Sequence, residues 1–317
     1  QSYIDSYDRS HGLPAADVQT ITPAGPVPAC GDPGASGNCP GWCGETVLDV
    51  AMFHTLAPKA KIYVVATPTD ETQGLTGFPD MMKAIDYLTA HKTVNVISMS
   101  LGTPEDDFTS SAQLHDLDTH FKKATDAGIT VTASTGDDGA TGSKVDGSAW
   151  GKRVVDFPAV NSYVTAVGGT VIHQRGGSRT SPDTLWPSSG GGVSHNYLAP
   201  SWQSTVDKKT GASGRSLPDI TMLGTSGTSQ SSPLFAALVD LAAQQAGNGL
   251  GFIDPALYAL GAAQSASHKV GYVDVTKGSN GQSGVSGYSA GTGFDIPSGW
   301  GTIDGATFVP ALAAQAG

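Results

Sequence analysis

Apolar residues along this chain fall into short β-branched runs and into longer stretches with helical spacing. The short runs predict buried strands at residues 61–66, 94–100, 129–134 and 163–168. The longer stretches predict helices at residues 44–54, 78–91, 110–127, 229–246 and 254–260. The polar residues 1–20 predict a helix or turn with no strand before it. A Gly/Pro-rich loop follows at residues 23–42. Residues 271–304 are glycine-rich and are predicted to be irregular.

Strands and helices alternate, which predicts an α/β fold with a mostly parallel central sheet flanked by helices. Functional residues of such sheets gather at the carboxyl ends of the strands. The segments 100–102 and 136–137 both follow predicted strands and are therefore candidates for a site. The chain shows no internal repeat and no clear linker, so we expect a single domain over residues 1–317.

The charge balance limits the partners of the protein. The chain has 28 Asp and Glu against 17 Lys and Arg, a net charge of -11, whereas nucleic-acid binding needs a basic face. Only 14% of the residues are charged, which suits a protein working in acid, where ion pairs are lost as carboxylates take up protons. No apolar run reaches the length of a membrane span, and no signal peptide is present, so any targeting segment was removed or lies outside this sequence.

Three cysteines, Cys30, Cys39 and Cys43, lie in and beside the Gly/Pro-rich loop. Zinc is a poor fit, because no second Cys/His pair stands at zinc spacing. One local disulfide is expected instead, and it favours an oxidising, exported setting. The odd cysteine leaves its pairing open.

Ser229 lies between small residues and an apolar run, within Ser-Gly-Thr-Ser-Gln-Ser-Ser-Pro at 226–233. Gly227 permits a tight turn, and the start of the next helix would hold the serine near unpaired backbone N–H groups. This arrangement can present a nucleophile. Serine is also a preferred helix N-cap, so the motif alone leaves both interpretations open.

Three carboxylates are candidates for proton transfer. Glu45 and Asp49 share one face of a helix with few other polar residues, and burying two like charges together would raise at least one pKa. A solvated acidic face is the simpler alternative for this pair. Asp137 follows a strand in Gly-Asp-Asp-Gly, where aspartate is also common as a turn residue. None of the eight histidines lies in a catalytic motif, so a serine enzyme here needs another base.

These motifs together resemble the sedolisins, the serine-carboxyl peptidases, which share the subtilisin-like fold. The resemblance covers nearly the whole chain. It rests on Gly227-Thr228-Ser229 before Pro233, on the Glu45/Asp49 pair, on Gly136-Asp137, and on the segments 56–62, 188–194, 201–203 and 218–219.

The resemblance implies a secreted endopeptidase that hydrolyses peptide bonds in acid. Ser229 would attack the scissile carbonyl, Glu45 would serve as general base, and Asp49 would hydrogen-bond Glu45. Protonated Asp137 would donate to the oxyanion, the task of an asparagine in subtilisins. A carboxyl group donates only when neutral, and free aspartate loses its proton near pH 4, so we expect an acid optimum.

The resemblance also implies a structural calcium ion in the C-terminal loop region. Calcium takes about six to eight oxygen ligands, which two carboxylates and flexible backbone carbonyls can supply. The expected ligands are the side chains of Asp274 and Asp295 and the backbone carbonyls of Val275, Gly291 and Gly293.

Substrate and partner expectations follow from the same resemblance. Residues Ser100, Leu101 and Gly102 resemble the edge strand that pairs with the substrate backbone, a β-addition mode of peptide binding. Peptide or protein substrates, a monomeric state, and an N-terminal pro-domain or N-terminal segment are implied.

Two departures from the family pattern matter. The family pattern has a first strand before the region that matches residue 1, and we expect that strand to be removed by processing or to belong to a separate chain. Residues 219–228 are shorter than usual, which puts the shape of the substrate cleft beside Ser229 in doubt.

Rival classes predict features that this sequence lacks. A neutral subtilisin-type protease predicts a His-Gly-Thr-His motif and a histidine base, and an α/β-hydrolase predicts Gly-x-Ser-x-Gly where residues 227–231 read Gly-Thr-Ser-Gln-Ser. An inactive peptide-binding relative would have lost one of the four catalytic candidates. A tripeptidyl-peptidase of the same family stays open as the alternative to an endopeptidase.

Overall fold

The structure is a computed structural model and describes residues 2–35, 37–70, 76–144, 146–175, 177–265 and 267–317. Its α-helices are α1 (Ser2–His11), α2 (Cys39–Leu56), α3 (Phe78–His91), α4 (Ser111–His115), α5 (Asp118–Asp126), α6 (Ser204–Thr210), α7 (Thr228–Ala246), α8 (Asp254–Ala263) and α9 (Gly305–Ala316). Short 3₁₀ helices span Glu105–Asp107 and Ser201–Gln203. Within these ranges, none of the helices is both long and apolar enough to cross a membrane.

The strands are mostly short. They are β1 (Asp17–Ile21), β2 (Lys61–Val65), β3 (Val96–Met99), β4 (Thr103–Pro104), β5 (Thr130–Ser134), β6 (Asp156–Phe157), β7 (Thr165–Val171), β8 (Gln174–Arg175), β9 (Ser178–Arg179), β10 (Thr184–Leu185), β11 (Gly192–Leu198), β12 (Gly214–Leu217), β13 (Ile220–Leu223), β14 (Tyr272–Val273) and β15 (Thr302–Ile303).

Four parallel strands form the centre of the main sheet in the order β3-β5-β7-β13, and β10 adds to β7 in antiparallel orientation. The register pairs Ser98 with Thr132 and Thr132 with Thr165. Strands β1 and β2 pair in parallel as a sheet of their own. The α/β fold with a mostly parallel sheet is therefore confirmed.

Helices cover both faces of this sheet. Side chains alternate along each strand, so neighbouring residues pack against helices on opposite faces. On β5, Val131 and Ala133 pack into a core with α3 and α5. Thr130 and Thr132 point the other way, and the Thr132 hydroxyl lies 3.2 Å from the Ser232 hydroxyl of α7. Helix α7 in turn packs against α2 and α9, so one buried helix links the sheet to α2.

Most predicted elements are present within a few residues of their expected bounds, including α3, α7, β2 and β5. Two predictions near the N-terminus are wrong. Residues 1–20 contain strand β1 after α1, and Gln1 lies outside the described residues; β1 was missed because its exposed polar face hides the strand pattern. Helix α2 begins at Cys39 rather than at residue 44, since Pro40 is tolerated in the first turn.

Later in the chain, the single helix expected at 110–127 is two helices, α4 and α5. The break between them accompanies burial of both Leu114 and Phe121. Strands β11 to β13 and helix α9 were not predicted. The pairing of the cysteines, which the sequence left open, is Cys30 with Cys39, and Cys43 is free and exposed.

Candidate active site

Ser229 is the second residue of α7, whose N-terminus faces the carboxyl ends of the parallel strands. Gly227 precedes the helix with φ of 107°, a conformation that strains other residues. A Cβ atom at Gly227 would lie 2.8 Å from the Asp137 Oδ2 atom. Glycine is therefore required there both by the backbone conformation and by the close approach of Asp137.

Asp137 is held beside the nucleophile by Thr228. Its Oδ1 atom accepts hydrogen bonds from the Thr228 backbone N–H at 2.7 Å and from the Thr228 hydroxyl at 2.9 Å. The Thr228 side chain also accepts from the Gly136 N–H at 3.1 Å. Two segments far apart in the sequence are locked together in this way, and the exposed Asp137 side chain faces the cleft.

Glu45 lies on α2, which packs against α7, the helix that carries Ser229. Burial raises the pKa of the Glu45 carboxyl, the Ser229 hydroxyl lowers it, and the nearby Asp137 raises it. Among the described residues, the buried Glu45 Oε1 atom has no hydrogen-bond partner. This oxygen is therefore available as a hydrogen-bond acceptor.

Asp49 lies one helical turn after Glu45 on α2. Burial raises the pKa of Asp49 well above its ordinary value, and the charge of Glu45 raises it further. The Ser100 hydroxyl opposes this by donating to Asp49 Oδ1 at 2.7 Å, and it also lies 3.4 Å from the Ser229 carbonyl oxygen. Two neighbouring carboxyls, both with raised pKa values, can share one proton.

The segment 100–102, expected to bind substrate, lies between β3 and β4 and belongs to neither strand. Ser100 is buried against Asp49, while Leu101 and Gly102 are half-buried. The structure thus joins the predicted substrate segment to the carboxylate pair through the Ser100 side chain. The sequence indicated a role for the backbone of Ser100 but not for its hydroxyl.

Asp156 is a further carboxyl near the site that the sequence analysis missed. A Cβ at Gly136 would lie 2.2 Å from Asp156 Oδ2, and one at Gly102 would lie 3.3 Å from Asp156 Cβ. Burial raises the pKa of Asp156 well above its ordinary value, and the charges of Asp138 and Asp137 add to the effect. In the sequence, Asp156 could have been identified as a buried carboxyl from its position directly after the apolar pair Val154-Val155.

His54 is the one histidine on the helix that carries Glu45 and Asp49, but its contacts lie elsewhere. Its Nε2 atom donates to the Pro14 carbonyl oxygen at 2.8 Å and lies 3.5 Å from Asp8 Oδ1. The side chain is completely buried. His54 therefore packs α2 onto the N-terminal segment and is not placed to serve as a base for Ser229.

The residues expected to bind calcium come together in the C-terminal loops. Burial raises the pKa of Asp295 to about 6, and the charge of Asp274 adds to this effect. In this structure Asp295 Oδ2 accepts from the Gly291 N–H at 2.7 Å, and Asp274 Oδ2 accepts from the Gly293 N–H at 2.9 Å. Val275 is completely buried.

Lys209 occupies part of the same loop. Its ammonium group donates to the carbonyl oxygens of Thr292 and Phe294, the latter at 2.8 Å. The carbonyls of Gly291 and Gly293 alternate with these along the chain. Two adjacent carboxyls with neighbouring carbonyls are a donor set that fits an oxygen-preferring divalent cation.

A second acidic cluster contains Glu105, Asp106 and His195. His195 Nδ1 lies 3.0 Å from Glu105 Oε1, and the Lys152 ammonium contacts Asp106. Ser194 donates to Glu105 Oε2 at 2.6 Å. These contacts already form a salt-bridge network that ties β11 to the turn after β4.

Comparison with known proteins adds to this geometry. Residues 24–263 match the sequence profile described as the Subtilase family. Kumamolisin from Bacillus sp. (strain MN-32) is 32% identical, over 98% of this chain and 57% of the relative. Sedolisin from Pseudomonas sp. (strain 101) is 33% identical over 73% of this chain and 43% of the relative. Human tripeptidyl-peptidase 1 is 28% identical over 81% of this chain and 50% of the relative.

A solved structure matches the whole fold. Pseudomonas sedolisin, described as a serine-carboxyl proteinase complexed with two molecules of pseudo-iodotyrostatin, superposes with a TM-score of 0.80 and 27% identity. The match covers 100% of this chain and 89% of that chain. The chain spans about half the length of the curated relatives that it matches.

Proposed function

Because the chain belongs to the subtilase family and, within it, to the sedolisins, we propose that residues 1–317 are the catalytic domain of a serine-carboxyl peptidase acting in acid. The observation that carries this proposal is the packing of α2, with Glu45 and Asp49, against α7, whose second residue is Ser229. A serine paired with a carboxyl of raised pKa is suited to nucleophilic catalysis without histidine.

In the proposed reaction, Ser229 Oγ attacks the carbonyl carbon of the scissile peptide bond. Glu45 takes the hydroxyl proton and later returns it to the leaving amine. The resulting acyl-enzyme is hydrolysed by water, with Glu45 again acting as base. The Glu45 Oε1 atom, which has no partner in the described part of the chain, supports this role.

Asp49 holds Glu45 in the reactive state. Its raised pKa keeps it protonated in mild acid, so it can donate a hydrogen bond to the Glu45 carboxylate. The Ser100 hydroxyl donates to Asp49 Oδ1, so the second oxygen of Asp49 would carry the proton that is donated to Glu45. This arrangement keeps the negative charge on the member of the pair that contacts Ser229.

Asp137 stabilises the oxyanion that forms when Ser229 attacks. Thr228 holds Oδ1 by two hydrogen bonds, so a protonated Oδ2 would donate a hydrogen bond to the developing charge. A carboxyl group can donate this hydrogen bond only in its protonated form. The extended segment 100–102 would pair with the substrate backbone as an added strand.

Endopeptidase action is the first proposal for substrate use, and tripeptidyl-peptidase action is the second. The observation that supports tripeptidyl-peptidase action is the 28% identity to human tripeptidyl-peptidase 1 over 81% of this chain. The disulfide between Cys30 and Cys39 supports secretion. We also propose a monomer that is made with an N-terminal pro-domain.

Calcium, if bound, would be held by the side chains of Asp274 and Asp295 and by the carbonyls of Val275, Gly291 and Gly293. It would supply a structural cross-link between the loops on either side of residues 276–290. The closeness of the two carboxyls supports this assignment, since the charge of Asp274 raises the pKa of Asp295 and a divalent cation would relieve that repulsion.

Peptide hydrolysis across pH 2–8 tests the proposed function. Ser229→Ala and Glu45→Gln should each abolish cleavage while leaving the fold intact by circular dichroism. Ser226→Ala changes an exposed serine three residues earlier on the same loop and is the matched control. Cleavage by the Ser229→Ala protein, or equal activity of the unaltered protein at pH 4 and pH 7, would refute the proposal.

A further inference from the structure

Three sulfur atoms meet at the start of helix α2. Cys30 and Cys39 form a disulfide, and the free thiol of Cys43 completes a cluster in which the three Sγ atoms lie within 4.8 Å of one another. These are all the cysteines of the chain. A thiol beside a disulfide has its reaction partner in place, because a thiolate can displace one sulfur of a disulfide from the other.

The cluster is accessible to solvent. Cys30 and Cys43 are exposed, and Cys39 is half-buried. The separation of the sulfur atoms is small enough for a change of side-chain rotamer on Cys43 to close it. Attack on the disulfide therefore requires no unfolding of α2, and a thiol reagent in solution can report which cysteine is free.

The start of α2 decides which sulfur leaves. Cys39 is the first residue of α2, so a thiolate on it would lie at the helix N-terminus, where the first backbone N–H groups have no partner within the helix. These groups and the helix dipole stabilise a negative charge there. Cys30 lies in the loop between β1 and α2. Cys39 is therefore the better leaving group, and we expect Cys43 to attack Cys30 Sγ.

We propose that Cys30, Cys39 and Cys43 form a thiol–disulfide exchange site with two disulfide isomers. The Cys43 thiolate attacks Cys30 Sγ, the Cys30–Cys43 bond forms as the Cys30–Cys39 bond breaks, and the electron pair leaves with Cys39. The Cys39 thiolate then takes up a proton from water, which replaces the proton that Cys43 gave up. The numbers of disulfides and thiols are unchanged, so the step needs no oxidant and no reductant.

The two isomers are close in chain entropy. Cys30 and Cys39 are 9 residues apart in the sequence, and Cys30 and Cys43 are 13 apart. Because the entropy of loop closure changes only with the logarithm of loop length, neither loop is strongly favoured over the other. The balance between the isomers is then set by how firmly α2 holds its first turn.

The first turn of α2 has a sequence that is poor for a helix. Residues 39–44 read Cys-Pro-Gly-Trp-Cys-Gly, in which proline lacks a backbone N–H and glycine disfavours helical conformation. Trp42 ties this turn to Asp70, to which its Nε1–H donates at 3.1 Å. In the second isomer the covalent anchor moves from Cys39 to Cys43, about 6 Å along the helix, and residues 39–42 lose their covalent hold.

This anchor lies beside the proposed general base. Cys43 is two residues before Glu45 on α2, and Asp49 follows one turn later. Release of residues 39–42 would bring the frayed end of α2 to within two residues of Glu45 and admit water to its carboxyl group. This consequence rests on the proposed function, because it predicts a loss of peptidase activity, whereas the exchange itself does not.

The exchange is tested by locating the free thiol in the Ser229→Ala protein, which should not digest itself. The protein is held at pH 8, because exchange proceeds through a thiolate, and is then alkylated with excess iodoacetamide. After digestion with pepsin in acid, mass spectrometry locates the alkyl group. We expect label on both Cys43 and Cys39, in a ratio that is the same at protein concentrations about tenfold apart. A trace of glutathione, which lets any accessible disulfide equilibrate, should leave this ratio unchanged.

Four results would overturn the proposal. Label on Cys43 alone would show that Cys39 is never released, and label on Cys30 would show attack on the other sulfur. A Cys39 label that appears only with disulfide-linked dimers on a non-reducing gel would place the exchange between molecules. A ratio that shifts when glutathione is added would show that Cys43 does not exchange by itself.

Two locked variants separate the isomers. Cys43→Ser can form only the Cys30–Cys39 bond, and Cys39→Ser can form only the Cys30–Cys43 bond, so the two proteins are matched in composition. After oxidation in glutathione buffer, mass spectrometry should show an intramolecular disulfide in both. Two free thiols in Cys39→Ser alone would overturn the proposal. If that variant does not fold, the label positions in the Ser229→Ala protein still decide.

The link to the active site is measured on the same pair with Ser229 in place. Amide hydrogen exchange at residues 41–44 should be faster in Cys39→Ser than in Cys43→Ser, and kcat/KM at the acid optimum should be roughly threefold lower or more. Equal kcat/KM in the two variants would overturn the link to Glu45, while the label positions decide the exchange separately. No peptide hydrolysis by the unaltered protein at any pH would contradict the proposed function and leave the exchange site in place.

Discussion

Asp137 offers the most direct test of the proposed acid mechanism, because two substitutions separate its contacts to Thr228 from its proposed role as oxyanion donor. In Asp137→Asn, the amide oxygen can still accept from the Thr228 N–H and hydroxyl, which lie 2.7 and 2.9 Å from Oδ1. The amide NH₂ group then takes the place of Oδ2 and donates at every pH. In Asp137→Ala, both the contacts to Thr228 and the oxyanion donor are lost.

The expected magnitudes differ for the two variants. Loss of one oxyanion donor costs about 10²–10³ in kcat, or roughly 2.7–4 kcal/mol. Leaving the Thr228 N–H unpaired should cost the alanine variant about 1–3 kcal/mol in stability, whereas the Thr228 hydroxyl keeps the Gly136 carbonyl oxygen as an acceptor at 3.2 Å. The asparagine variant should keep its stability and stay within roughly tenfold of the unaltered kcat at the acid optimum.

The informative measurement is kcat/KM from pH 2 to pH 8 for all three proteins. The amide of Asp137→Asn donates without depending on a proton that can be lost, so this variant should keep activity to higher pH than the unaltered enzyme. Asp49, whose pKa burial raises well above its ordinary value, should then set the limit. Asp138→Asn is the matched control, since Asp138 accepts from Ser143 and lies one residue further on.

An alkaline limb at the same pH in the unaltered enzyme and in Asp137→Asn would refute the reasoning. It would mean that the loss of activity follows the carboxylate pair on α2 rather than the oxyanion donor. Unaltered kcat in Asp137→Ala would refute the oxyanion assignment itself.

Four further outcomes are expected. Ser100→Ala removes the donor to Asp49, so the pKa of Asp49 should rise further and kcat should fall by roughly tenfold in a pH–rate profile. Asp49→Asn should be more stable than the unaltered protein at pH 7 in urea unfolding. Burial raises the pKa of Asp49, so the folded state binds the proton more tightly than the unfolded chain does. The stability that this proton contributes is lost as pH rises through the folded-state pKa, by about 1.4 kcal/mol for each tenfold difference in proton affinity. Arg215→Met leaves the fully buried Asp219 without its 2.6 Å ion pair and should cost about 3–5 kcal/mol, much of which Arg215→Met/Asp219→Leu should restore. EDTA should lower Tm, and Ca²⁺ but not Mg²⁺ should restore it; an unchanged Tm would contradict the calcium site.

The site residues differ in how far the sequence could identify them. Ser229 and Asp137 stand in short motifs at the ends of predicted elements, where position along a parallel sheet indicates function. Glu45 and Asp49 were visible because two carboxylates interrupt an otherwise apolar helix. For all four residues, local pattern and family resemblance agreed.

Asp156 and the Ser100 hydroxyl show what the sequence could not supply. Asp156 comes 19 residues after Asp137, yet it lies against Gly136 because β6 pairs with β4. Ser100 is 51 positions from Asp49, the carboxyl to which it donates. Neither contact follows from a periodicity, because each depends on which strands come together in space.

The sequence by itself determined the α/β class, the position of most core helices and strands, and the four candidate catalytic residues. These depend on local spacing of apolar residues and on short motifs, which act over a few residues of chain. Only the tertiary structure decided that Thr228 locks Asp137 and that Cys30 pairs with Cys39. These features depend on the packing of segments that are distant along the chain, because side chains and strand edges find their partners only when the whole sheet and its helices are assembled.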